Sequence, residues 1–109
     1  MTRKTQVRLD IELDENHVPE SIIWHAEDGG ISNEPTKSAM ISVWDDQKME
    51  ALSLDLWTKE MPVDHMKRFM HQIFIAMSHT YQKATNEDDV AGFIEEFAEE
   101  FARRSKIKF

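Results

Sequence analysis

The sequence predicts an α+β domain, a four-stranded antiparallel sheet with two C-terminal helices packed on one of its faces. Three observations predict it. Apolar residues alternate with polar ones in several short runs between Val7 and Trp57, the period of a strand with one wet face. From Pro62 onward they recur every third or fourth position, the period of an amphipathic helix. A sheet with one apolar face needs a cover, and two amphipathic helices supply one. With 109 residues, near the commonest domain size, the chain reads as a single domain over 1–109.

The first strand is "VRLDIELD". Val7, Leu9, Ile11 and Leu13 point one way, and Arg8, Asp10, Glu12 and Asp14 the other. "ENHVPE" makes a turn, because Asn16 and Pro19 disfavour continued pairing. The second strand, "SIIWHAE", ends at "DGG", where glycine supplies a positive φ. Residues 31–36, with Pro35 inside, read as a loop. "KSAMISVW" and "ALSLDLW" form a hairpin. Pairing Trp44 with Met49 sets Ile41 opposite Leu52 and Ala39 opposite Leu54, which directs Ala39, Ile41, Leu52, Leu54 and Leu56 inward.

Pro62 opens the first helix, where its missing N–H costs nothing. Its stripe is Met66, Phe69, Met70, Ile73, Phe74, Met77 and Tyr81. "KATNEDD" breaks it, and Thr85 or Asn86 is expected to cap the second helix. That helix carries Val90, Phe93, Ile94, Phe97, Ala98 and Phe101. Gly92 in its interior costs about 1 kcal/mol relative to Ala and implies a close neighbour.

Composition excludes several classes of function. There is no cysteine, hence no disulfide, thiol nucleophile or thiolate metal ligand. The net charge is −8, concentrated in the strand half: residues 1–60 hold 6 Lys/Arg against 13 Asp/Glu, and 61–109 hold 7 against 8. An acidic sheet repels phosphate, which argues against nucleic-acid binding. The basic run "RRSKIK" reads as a helix C-terminus complementing the macrodipole. No apolar leader follows the first basic residues and no run suits a membrane span, so a cytoplasmic protein is expected.

Candidate chemistry is thin. His65 and His71 are six apart, about 240° around a helix, and cannot share a metal from one straight helix. His71 and His79 also miss the four-residue step of paired ligands. Asp64 lies four residues before Arg68, an ion-pair spacing. No G-x-S-x-G elbow or glycine-rich phosphate loop occurs. No enzyme, metal or cofactor is expected. The tryptophans carry the most information. Trp44, Trp57 and Met40 fall on the hairpin face opposite the leucines, and Trp24 shares parity with Ile22 and Ala26 without a settled face. Large aromatics on a wet face mark a candidate partner surface made of Met40, Trp44, Trp57 and Trp24. The competing reading has each of them capping an end of the sheet or packing under the 27–36 loop.

The segments "IELDENHVPESIIWHAEDGGI" and "SVWDDQKMEALSLDLWTKEMPVDHMKRFMHQ" resemble the gliding-motility protein GldC family, from about Lys4 into the second helix and most weakly after about Glu87. The junction "DLWTKEMPVD" is the specific part. Trp24, Asp28, Gly29, Gly30, Trp44, Trp57, Pro62 and Asp64 match the recurring pattern. The resemblance implies a small cytoplasmic accessory protein of bacterial gliding, not an enzyme, working through a protein partner of the gliding or export machinery. It transfers no catalytic residue. The order of strands then helices is also similar to that of the export chaperone SecB, which keeps open a chaperone or adaptor for exported proteins. Exposed sheet edges leave room for a homodimer.

Overall fold

The alternating runs do become strands, but among the described residues there are five of them, in two sheets. The computed structural model describes residues 2–109. In chain order it has β1 (Val7–Leu13), β2 (Pro19–Ala26), a single 3₁₀ turn (Glu27–Gly29), β3 (Ile31–Thr36), β4 (Ser38–Asp45), β5 (Glu50–Trp57), α1 (Val63–Thr85) and α2 (Asp88–Arg104). One antiparallel sheet has the order β1-β2-β3; the other is the β4–β5 ribbon. The expected four-stranded sheet is therefore corrected to a three-stranded and a two-stranded one within the same α+β class.

Residues 31–36 form β3, not a loop. Pro35 is tolerated because β3 is an edge strand, where a missing N–H removes no ladder bond from the sheet interior. Gly30, at φ 70°, lets the chain leave the 3₁₀ turn and enter β3. On β2, Ile22 lies between Ile11 and Thr36, and Trp24 between Leu9 and Glu34. Val7, Leu9, Ile11, Ile22, Trp24, Ala26 and Ile31 thus share one face, since directly paired residues do. Ile22 is its fully buried centre.

In the ribbon, Ala39 pairs with Leu56, Ile41 with Leu54 and Val43 with Leu52. The expected register is wrong by two residues. The Asp45 carboxylate accepts the N–H groups of Gln47 and Lys48, and Met49 takes the left-handed conformation, which moves the turn one position along the chain, between the paired Asp45 and Glu50. A two-residue shift returns every side chain to its original face, so the leucines still share one face. That face is not buried: Leu52 is 54% and Leu54 51% exposed, against the expectation that both point inward. A flat two-stranded ribbon cannot shield its own side chains, because each has neighbours on one side only.

The chain divides into two compact units, the first ending at Met61 and the second running Pro62–Phe109. The second is a helical hairpin. Pro62, extended at φ −67° and ψ 149°, precedes α1 as its N-cap. Asn86 closes α1 in the left-handed conformation, and Glu87 is the N-cap of α2 without a side-chain cap bond. Thr85 and Asn86, expected to start α2, instead end α1: the Thr85 hydroxyl donates to the Tyr81 carbonyl. At the far end the Ile107 N–H donates to the Ala102 carbonyl with Lys106 left-handed, a Schellman closure.

The helices meet through small residues. Ala98, Ala91 and Ser78 are buried, and Phe74 packs edge-on against Phe97 and Phe101, each with centroids 5.1 Å apart. Gly92 is not part of this seam. A Cβ built there meets nothing within 4 Å, so the expected close neighbour is absent among the described residues. Gly92→Ala is accordingly expected to stabilise the protein by about 1 kcal/mol, the helical cost of glycine. Thermal unfolding of the two proteins checks it; a lower Tm in the variant would show that something occupies the space.

Candidate functional site

Trp44, Trp57 and Met40 do share a face of the ribbon. Directly opposed pairs run along it as Trp44–Ala51, Ser42–Ser53, Met40–Asp55 and Ser38–Trp57. Both tryptophans are exposed and Met40 is half-buried. They do not make one aromatic patch: three pair-steps separate the tryptophans, about 20 Å along a strand. The ground between them is polar, with the Ser42 and Ser53 hydroxyls 2.9 Å apart. The Trp44 indole N–H donates to the Asp46 carboxylate at 3.2 Å, which ties that ring to the hairpin turn. Trp24 belongs to the other sheet, half-buried on the apolar face of β2. The candidate surface is thus two aromatic contact points at opposite ends of a ribbon, with Trp24 elsewhere.

The other ribbon face carries exposed apolar side chains too. Val43, Leu52 and Leu54 lie on it, beside Ile41 and Leu56. Sequence alone placed these residues together but expected them covered.

Sequence reasoning passed over two polar clusters. In the first, His25 lies between β1 and β3. The Asn33 N–H donates to His25 Nδ1 at 3.2 Å, so Nε2 carries the proton and donates to Asp10 at 3.0 Å. The lone pair that a general base needs is taken by the backbone. An open depression of about 420 Å³ adjoins it, lined by Arg8, His25, Glu27 and Gly30 among others. In the second, the nearly buried Asp14 carboxylate accepts the N–H groups of Asn16 and Val18 and faces the Lys59 ammonium at 2.7 Å. Lys59, with those backbone donors, holds the Asp14 carboxyl below its ordinary value, and Asp14 raises Lys59 in return. The contact joins residues 45 positions apart, and "DENH" signals only its local half, an Asx turn. It fastens the β1–β2 turn to the chain just after β5.

At the end of α2 the Glu100 carboxyl is lowered to about 2, first by Arg103 and then by Arg104. A carboxylate whose pKa is depressed by folding stabilises the fold above its unfolded value, and that contribution is lost as pH falls through the folded value. Both Asp14 and Glu100 have this sign. Tm is expected to fall as pH drops from about 4.5 toward 2. Asp14→Asn should lower Tm at neutral pH and close part of the gap to wild type in acid. A gap that is constant over that range would remove Asp14 as a titrating contributor.

The remaining candidates sit apart. Asp64 lies in the first turn of α1. The expected Asp64–Arg68 pair is not formed; Arg68 donates to the Lys108 carbonyl instead. His71 stacks edge-on against Phe109 with centroids 5.4 Å apart. Among the described residues no group of three or more His, Asp or Glu side chains could hold a metal ion. No helix among them is long and apolar enough to cross a membrane.

Residues 19–107 fit the family model described as gliding motility-associated protein GldC-like. That span runs from the first residue of β2 to the closure after α2 and takes in the ribbon and its tryptophans. The curated proteins give no match, and neither do the solved structures.

Proposed function

This chain belongs to the GldC-like family of gliding motility-associated proteins, and on that premise we propose that it is a non-enzymatic cytoplasmic accessory protein of bacterial gliding that acts by binding a protein partner. The observation that carries the reading is the β4–β5 ribbon, which holds Trp44 and Trp57 exposed on one face and Val43, Leu52 and Leu54 exposed on the other. Exposed aromatic and branched side chains on a paired backbone are the anchors from which protein interfaces are built. The engaged His25 supports the non-enzymatic part, since its Nδ1 lone pair and its Nε2 proton are both committed within the sheet.

The role of the tryptophans is open to test in living cells. A strain lacking the gene is complemented with wild type or with Trp44→Ser and Trp57→Ser together, and spreading over a surface is measured. The expected result is full rescue by wild type and loss of spreading with the double variant, at equal abundance and with Tm within a few degrees. Each ring is exposed, so neither change removes a buried core. Undiminished spreading by a folded double variant would overturn this surface as the point of contact. Absence of any defect in the deleted strain would overturn the gliding role itself.

A further inference from the structure

The helical hairpin has an apolar face that its own packing leaves largely open, although Phe97 on it also packs edge-on against Phe74. Taking 100° per residue, the seam on α2 runs through Ala91, Ile94, Ala98 and Phe101. Val90, Phe93 and Phe97 lie about 100° to one side of it. On α1, Met70, Ile73 and Met77 are displaced from the Phe74–Ser78 seam in the same rotational sense. Because the helices run antiparallel, equal rotations bring both stripes to the same side of the hairpin. Phe93 is 64% and Phe97 50% exposed there, and Met77 and Val90 are exposed beside them.

We propose that this face binds the same face of a second copy, so that two hairpins form a four-helix bundle with a two-fold axis lying across the helices in the plane of the interface. Two arguments select this occupant. The first is area. With α1 about 35 Å and α2 about 25 Å long, each about 10 Å wide, the hairpin presents roughly 600 Å² on one side, approaching the share of about 800 Å² that each partner contributes to a standard interface. The second is charge. The turn end of the hairpin carries Glu87, Asp88 and Asp89 against Lys83. The opposite end carries Arg103, Arg104, Lys106 and Lys108, with Lys67 and Arg68 beside them, against Asp64, Glu99 and Glu100. Lys67 donates to the Ser105 carbonyl at 2.9 Å, so these cations are gathered at one end. The proposed axis exchanges the two ends and sets each acidic end against a basic one; an axis parallel to the helices would stack like charges. The charge polarity is therefore self-complementary in one orientation only. Helix pairs of this kind bury facing apolar positions by the ordinary packing of bundles.

The inference goes beyond the gliding reading and does not depend on it, since it concerns the chain alone. Light scattering and sedimentation of the full chain should return twice the chain mass at micromolar concentration. Phe93→Glu with Met77→Glu, both exposed on this face, should give a monomer that keeps its helical circular dichroism. Lys106→Glu with Lys108→Glu alters exposed side chains outside α2 and should weaken the dimer about tenfold. That second variant carries the test if the first does not fold. A wild-type monomer overturns the proposal, and so does a dimer whose dissociation is unmoved by both variants.

Discussion

Ile22→Ala is expected to destabilise the protein by about 3 kcal/mol, within the 2–5 kcal/mol that large-to-small changes at buried isoleucines cost. Ile22 is 1% exposed at the middle of the central strand, flanked by Ile11 on β1 and Thr36 on β3. It is the one large apolar side chain among the described residues that is fully buried. Its neighbours on that face are half-buried or exposed and make fewer contacts, so they cannot compensate for what it loses. Small domains have total stabilities of about 5–15 kcal/mol, so this single truncation would remove a fifth or more. Ile22→Val, which removes one methylene and leaves the branched shape, should cost about 1 kcal/mol. Chemical denaturation followed by tryptophan fluorescence measures both, because Trp24 sits two residues away on the same face. An Ile22→Ala protein within about 0.5 kcal/mol of wild type would show that this sheet is not organised around its central strand.

The two sheets show how much the sequence could tell. Parity along β1 and β4–β5 was legible because side chains alternate with a fixed period of two, and it survived a register that was wrong by two residues. The position of the turn was not legible, because it depends on the Asp45 carboxylate catching two N–H groups and on a left-handed Met49. β3 was missed because Pro35 argues against an interior strand, and nothing in "ISNEPT" announces that it lies at an edge. With β3 absent, the face of Trp24 could not be decided.

The helices were the clearest part, since their apolar positions recur over many turns. Their junction was not, because Thr85 and Asn86 suit the start of a helix as well as the end of one, and the short link from α1 to α2 uses them for the end. For the candidate surface, parity put Trp44, Met40 and Trp57 on one face. The spacing along the ladder was needed to show that the two rings stand at opposite ends, with serines and Asp55 between. Burial was the least legible property. The leucine face of β5 looked like core because covering layers are usual, and a sequence pattern reports which residues share a face without reporting what lies against it.

Ala98→Asp is expected to cost about 3 kcal/mol or more, because it puts a charge where no water reaches and no partner waits. Ala98 is 0% exposed and lies on the seam of α2 with Ala91 and Phe101. The seam tolerates little: alanine and Ser78 at its centre let the helix axes approach to about 8–10 Å, and a carboxylate would have to be desolvated or push them apart. The Ser78 hydroxyl offers no relief, since it already donates to the Ile75 carbonyl at 2.8 Å. Separation of the helices would also unstack Phe74 from Phe97 and Phe101, contacts worth about 0.5–1.5 kcal/mol each beyond their burial. The neighbouring exposed change Glu99→Ala should stay within about 0.5 kcal/mol of wild type, which separates burial from helix propensity. Loss of the helical dichroism signal at a lower denaturant midpoint for Ala98→Asp, with Glu99→Ala unmoved, is the expected pattern. A stable Ala98→Asp protein would mean that the hairpin closes by some other face, and the apolar slab of Phe93 and Phe97 would then be its seam instead of a surface free for a second copy.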